Sequence, residues 1–321
     1  MKLPSSNRAA GDPRNGPVIL RRDYRAEGLS SRSVTQRIRA EGLVKIRTGA
    51  YVSPEVWQDC DREGRFGLLG RAVLRQAKTP LVLSHSSAVA EYGAPLWGLD
   101  LSAAHVTRTD GLSGRRGRDV HQHEGRLGAG DLHVMNGVPV MNPARAALET
   151  VTLGNVEAGL CIVNHLLHHR LTTESLLNTQ YVAMETWPNT LSVELVLRLA
   201  DPRIETIGES RTFWCCYQQG LPCPQTQVEI RDRWGNVVAR VDFAWPHLGV
   251  FLEFDGFVKY EKLLKEGERA SDVVLRERDR ERLVCQLTGW RCIRVTWAEL
   301  ADGPRLAARI RRELFPPAGN R

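Results

Sequence analysis

No stretch of this 321-residue chain is apolar for the roughly 18 to 20 residues that a bilayer-crossing helix requires. A membrane partner is therefore not expected. The first seventeen residues, MKLPSSNRAAGDPRNGP, have neither an apolar core nor a cleavage signature, so they do not read as a secretory signal. They are expected to form a disordered basic arm. Seven cysteines are present, an odd number, scattered and without any Cys-x-x-Cys pair. That argues against a disulfide framework and against a structural zinc, and it suits a reducing, cytoplasmic setting.

What the chain does have is charge in one place. The formal net charge is +7, and residues 1–50 hold 11 Lys and Arg against 4 Asp and Glu, while the remainder holds 33 of each. A concentrated basic segment is what neutralisation of nucleic-acid phosphates needs, so DNA is the expected partner. The length allows two or three domains with cores of their own.

Leu29-Ser30-Ser31-Arg32-Ser33-Val34 reads as a helix start. Ser30 is the expected N-cap, Leu29 and Val34 occupy the positions of a hydrophobic staple, and Gly42 supplies the stop. Val34 and Ile38 share the buried face, which leaves Arg32, Ser33, Gln36, Arg37 and Arg39 outward. Residues 18–26 are expected to form a preceding helix, with Glu27-Gly28-Leu29 as the turn. Leu43 to Arg47 and Ala50 to Val52 read as two strands joined at Thr48-Gly49. Helix, turn, helix and ribbon over residues 18–60 make a winged helix-turn-helix. Its second helix would enter the major groove, while Arg47 and Tyr51 on the wing would meet phosphates. The same fold used for protein contact is the alternative.

The run GLSSRSVTQRIRAEGLVKIRTGAYVSP resembles the N-terminal domain of the AbiE abortive-infection antitoxin family, winged-helix DNA-binding proteins of which many repress their own operons. HVTRTDG and GVPVMNPARAALETV resemble the middle region of actinobacterial members. The resemblance implies that Arg32, Gln36 and Arg37 contact DNA, and it raises a cognate toxin as a second partner.

Residues 61–185 read as an α/β scaffold. Helices are expected at Phe66 to Gln76, Ser86 to Tyr92, Asn142 to Val151 and Asn155 to His169. Short strands are expected at 104–107, 119–123 and 138–140. His121 and His123 alternate on a strand, and His165, His168 and His169 have helical spacing. Neither group has an acid or cysteine at ligand spacing, and zinc takes three or four ligands, so no metal site is expected there.

From residue 190 to 316 the order reads α-β-β-β-α-β, then α. VVARVDFAW puts Asp242, and GVFLEFDG puts Glu253 and Asp255, inside apolar strands, where unpaired charge costs several kcal/mol. Residues two apart on a strand face one side. If the two strands pair, three carboxylates converge into a hard-cation site suited to Mg²⁺ or Mn²⁺. The alternative is a structural cluster held by Arg278, Arg282 or Arg294.

These phrases, with Glu209 on the preceding helix, LEFDGFVKY and RERDRERLVCQLTGWRCIRVTW, resemble the PD-(D/E)xK nuclease superfamily and within it the very-short-patch-repair endonuclease-like group. The implied fold class is α/β, with a restriction-endonuclease-like αβββαβ core behind the winged helix and the scaffold. The implied roles are metal binding by Asp242 and Glu253, completion or orientation of the cluster by Glu209, and a ligand or water-positioning role for Asp255. The superfamily's lysine lies two residues after the second acid, a position held here by Asp255, so Lys259 is the candidate cation. The expected activity is metal-dependent hydrolysis of DNA phosphodiester bonds. A non-catalytic repressor or antitoxin is the alternative.

Overall fold

A computed structural model describes residues 3–256 and 270–316. It has mixed α/β architecture with three sheets. The chain divides into two compact units, Met1–Ala200 and Asp201–Arg321.

Unit 1 opens with a segment expected to be disordered that instead makes specific contacts. Asp12 caps a 3-10 turn, Pro13–Asn15. Arg8 places Nη1 3.0 Å from the buried Glu91 carboxylate, which also takes Arg71 at 3.0 Å. A basic residue drawn to a buried acid gives the arm a tertiary reason to order that composition does not reveal.

Strand β1 (Ile19–Leu20) and helix α1 (Arg21–Ala26) replace the single helix expected over 18–26. Leu20 pairs with Ala50, and its amide donates to Asp23 Oδ2 at 2.8 Å, so the helix begins only after the strand pair has formed. Helix α2 (Ser31–Ala40) follows the local rules: Ser30 Oγ accepts from Ser33 N, Val34 and Ile38 are buried beside Tyr24 and Leu29, and Gly42 takes φ +62°. Strands β2 (Val44–Arg47) and β3 (Ala50–Val52) complete a three-stranded sheet in the order β1-β3-β2.

Helices α3 (Pro54–Asp59) and α4 (Arg62–Gln76) come next. Leu68 and Ala72 of α4 share one core with Val18, Leu20, Ala50 and Val52. Residues 18–60 therefore do not form a separate compact unit from the scaffold expected over 61–185. The scaffold is β4 (Leu81–Leu83), α5 (His85–Glu91), β5 (Ala104–Arg108), β6 (Arg115–Arg116), β7 (Val120–His123), β8 (Leu132–Met135), β9 (Val138–Met141), α6 (Pro143–Val151), α7 (Val156–His168), α8 (Glu174–Met184) and α9 (Thr190–Leu199). Its six-stranded sheet runs β6-β7-β5-β4-β9-β8, with β5 parallel to β7 and β4 parallel to β9. Helix α6 is buried over its whole length, capped by Asn142. Helix α9 was expected to open the C-terminal domain; it lies in unit 1, because Val193 and Val196 are buried there.

Unit 2 is α10 (Ile207–Gln218), β10 (Gln225–Arg231), β11 (Val237–Trp245), β12 (Val250–Asp255), α11 (Ala270–Thr288), β13 (Arg291–Thr296) and α12 (Gly303–Leu314). The sheet order is β10-β11-β12-β13, antiparallel except for the parallel pair β12–β13 that α11 connects. In α11, Val284 is fully buried while Leu283 and Leu287 are exposed. Gly208 at the start of α10 lies so close to the Phe254 ring that a Cβ there would meet it at 1.9 Å. No helix among the described residues is long and apolar enough to cross a membrane.

Candidate functional site

On α2 the residues expected to read DNA divide into two groups. Arg32 and Gln36 are exposed, and among the described residues no hydrogen bond or ion pair engages Arg32. Ser33 is half-buried, with its hydroxyl 2.8 Å from the Ser30 hydroxyl. Arg37 is exposed but pairs with Glu41, which Tyr24 also binds through its phenol. The wing residues are engaged inside the unit. Arg47 sends Nε and Nη2 to the Asp119 carboxylate at 3.1 and 2.8 Å, and Tyr51 packs against Tyr24, Val34 and Ile38. Neither is presented outward as the sequence reading expected. The partners, Asp119 in particular, lie too far along the chain for local pattern to announce them.

The acids of unit 2 sit on the two middle strands. The β11–β12 ladder ends at Phe243↔Leu252, which sets Asp242 opposite Glu253 one step further along. There Asp242 Oδ2 accepts the amide of Phe254 at 2.8 Å in place of a main-chain acceptor. Glu253 is buried, and its Oε2 takes Arg280 Nη2 at 2.5 Å; the same guanidinium donates to the Arg240 carbonyl at 2.8 Å. Asp255 lies 3.7 Å from Arg294 Nη1, and Arg294 also donates to Glu281 at 2.8 Å. Glu209 is buried in a reciprocal cap: its carboxylate takes the Thr206 hydroxyl at 2.7 Å, the Glu205 amide at 3.1 Å and Gln227 Nε2 at 2.9 Å. The expected convergence of three carboxylates does not occur. Among the described residues, three ligand atoms within 4.8 Å of one another are found for His85, His105 and His123 and not for the acids. Arg294 is one of the three arginines expected to hold the acids; Arg280 was not foreseen. Lys259 lies outside the described residues.

The histidine group comes from three separate elements of unit 1. His85 opens α5 at φ +48°, a left-handed conformation that costs a non-glycine residue about 1–3 kcal/mol. His105 lies on β5, and His123 ends β7. Parallel pairing sets Thr107 opposite His123. His105 Nδ1 lies 2.9 Å from His123 Nε2, and the His85 and His123 rings stack at 3.8 Å. Burial and neighbouring imidazoles hold all three neutral: His105 falls to about 3, His123 to about 4, and His85 well below the usual histidine range.

Behind His85 stands a buried charge network. Its Nδ1 lies 3.0 Å from Ser84 Oγ and 3.5 Å from Glu149 Oε2. Glu149 accepts from Arg145 Nε at 2.8 Å, and Arg145 Nη1 donates to Asp131 at 2.5 Å and to the Arg126 carbonyl at 3.0 Å. Arg145 and Glu149 are four apart on α6 and point the same way. Thr107 Oγ1, beside His123 on the neighbouring strand, and Ser86 Oγ, next to His85, are buried without a hydrogen-bond partner among the described residues. Sequence reasoning noticed His121 and His123 but set metal aside. His85 and His105 lie far from them in sequence, and only the β5–β7 register and the β4–α5 turn bring them together.

No protein-family model matches the chain. It is similar to the uncharacterized protein MT2308 of Mycobacterium tuberculosis strain CDC 1551 / Oshkosh, at 26% identity over 292 residues, which cover 89% of this chain and 97% of that protein. The uncharacterized protein Rv2248 of Mycobacterium tuberculosis strain H37Rv is similar to the same degree and over the same shares.

Proposed function

We propose that this chain binds duplex DNA through residues 18–60, acting as a winged helix-turn-helix, and hydrolyses phosphodiester bonds with a PD-(D/E)xK, very-short-patch-repair endonuclease-like unit 2. The observation that carries the reading is the position of Asp242 and Glu253 on the two middle strands of an αβββαβ unit, opposed across one antiparallel ladder. Two carboxylates at such a position are the donor set that Mg²⁺ or Mn²⁺ uses together with substrate phosphate. The bound ion would polarise the scissile phosphate and lower the pKa of a water.

The chain's own residues divide the remaining work. Asp242 and Glu253 would hold the ion, and Asp255 would orient a water. Glu209, fixed by Thr206 and Gln227, stiffens the end of α10 next to Phe254, whose amide positions Asp242. Lys259 remains the proposed cation for the charge that gathers on the phosphate. On α2, Arg32, Gln36 and Arg39 are exposed and supply base and phosphate contacts.

A second reading, a non-catalytic repressor or antitoxin that also binds a cognate toxin, is favoured by the engagement of Glu253 by Arg280 and of Asp255 by Arg294. Incubation of supercoiled plasmid with the full chain and Mg²⁺ or Mn²⁺ separates the two. Nicking that Asp242→Ala abolishes supports the enzyme. Tight, salt-sensitive duplex binding without cleavage by either ion rejects it in favour of the repressor.

A further inference from the structure

We propose that His85, His105 and His123 form a binding site for a divalent d-block cation of the Zn²⁺ class, independent of the Mg²⁺ chemistry proposed for unit 2. Four features of the molecule point to it.

The first is donor geometry. Zinc bound by imidazole takes Zn–N distances of about 2.0–2.1 Å, so tetrahedral donors stand about 3.3 Å apart. Here the His105 and His123 nitrogens face each other at 2.9 Å, and the three donors lie within 4.8 Å of one another. The second is donor chemistry. Imidazole nitrogen is a donor that suits zinc, and this site gathers three of them.

The third is the outer layer. A ligating histidine characteristically donates its other ring nitrogen to a carboxylate, which sets the tautomer and the ring's aim. His85 Nδ1 has Glu149 at 3.5 Å and Ser84 at 3.0 Å, which assigns Nε2 to the ion. Arg145 and Asp131 then hold Glu149 in place. The fourth is strain. His85 keeps a left-handed backbone that a glycine would occupy at less cost, and this conformation directs the ring at the other two. Thr107, whose buried hydroxyl has no hydrogen-bond partner among the described residues, stands opposite His123 in the strand register. Three imidazoles leave one coordination position of a tetrahedral ion for water or an anionic ligand, the pattern of reactive rather than closed structural zinc sites.

The test uses the full chain, stripped with a chelator and dialysed, with Zn²⁺ and Co²⁺ as probes. One equivalent of Zn²⁺ by elemental analysis is expected, together with the intense visible absorption of four-coordinate Co²⁺. Both are lost in His105→Gln and His123→Gln and kept in the exposed His169→Gln. Circular dichroism checks that the variants fold. Should they not, wild-type protein decides: diethylpyrocarbonate labels His123 without Zn²⁺ and is blocked when Zn²⁺ is present. Absence of stoichiometric uptake, a hydrated-ion Co²⁺ spectrum, uptake indifferent to both substitutions, or His123 labelling unchanged by Zn²⁺ would each overturn the site. None of these readouts depends on DNA cleavage.

Discussion

Replacement of Arg280 by Gln tests whether the arginine on Glu253 is a latch over an ion site. The substitution removes two interactions, the 2.5 Å pair with Glu253 and the 2.8 Å bond to the Arg240 carbonyl. Exposed pairs contribute about 0–1 kcal/mol, whereas breaking a fully buried one costs about 3–5 kcal/mol. The Glu253 side chain is 9% exposed and that of Arg280 35%, so solvent screens one end, and a loss of about 1–2 kcal/mol is expected. In a unit of this size that lowers the melting temperature by roughly 4–8 °C. The same change frees the Glu253 carboxylate from its competitor, so Mg²⁺ binds the variant more tightly than the wild type. At about ten times Kd, ligand linkage returns roughly 1.4 kcal/mol, most of the loss. Calorimetry of both proteins across a Mg²⁺ series measures this. A variant as stable as wild type would show that the pair contributes nothing, and a melting temperature indifferent to Mg²⁺ would remove the ion from Asp242 and Glu253.

Three further outcomes follow from the same geometry. Gly208→Ala drives a methyl into the Phe254 ring, which packs edge-on against Trp297 at 5.0 Å. Overpacking should cost about 1–3 kcal/mol and perturb Trp297 fluorescence; an unchanged urea midpoint would contradict the packing. Arg32→Ala should reduce the salt slope of DNA binding by about 1, while Arg47→Ala, whose guanidinium is held by Asp119, should leave the slope unchanged; equal effects in a fluorescence-anisotropy titration would refute the division. His165 is half-buried with its folded pKa lowered to about 4 from 6.5, first by burial and then by His169 and His168. A depressed histidine pKa means that the unfolded state binds the extra proton first. Stability is therefore lost as pH falls from about 6.5 to 4, by about 1–2 kcal/mol at pH 5. His165→Gln should flatten that part of the stability–pH curve, and an unaltered curve would assign the effect elsewhere.

Much of the local structure is legible in the chain because it depends on neighbours in sequence. Ser30, Val34, Ile38 and Gly42 specify where α2 starts, which face it buries and where it stops. Alternating and continuous apolar runs mark β10, β11, β12 and β13, and the charged α11 between the last two forces the parallel crossover. The two acids fall on adjacent strands because those runs contain them, while the β11–β12 register sets Asp242 opposite Glu253.

Partner choice was decided only by the tertiary structure. Arg8 orders a polar arm by reaching Glu91, Arg47 turns to Asp119, and Arg280 takes Glu253, each across a long stretch of chain. Three histidines that share no local spacing meet because a parallel β5–β7 register and a left-handed residue after β4 aim them at one point. Caps and periodicity are properties of a few consecutive residues, whereas the meeting of side chains depends on strand register and on which helix covers which sheet. Those are settled by the burial of the whole core, and no short window of sequence contains them.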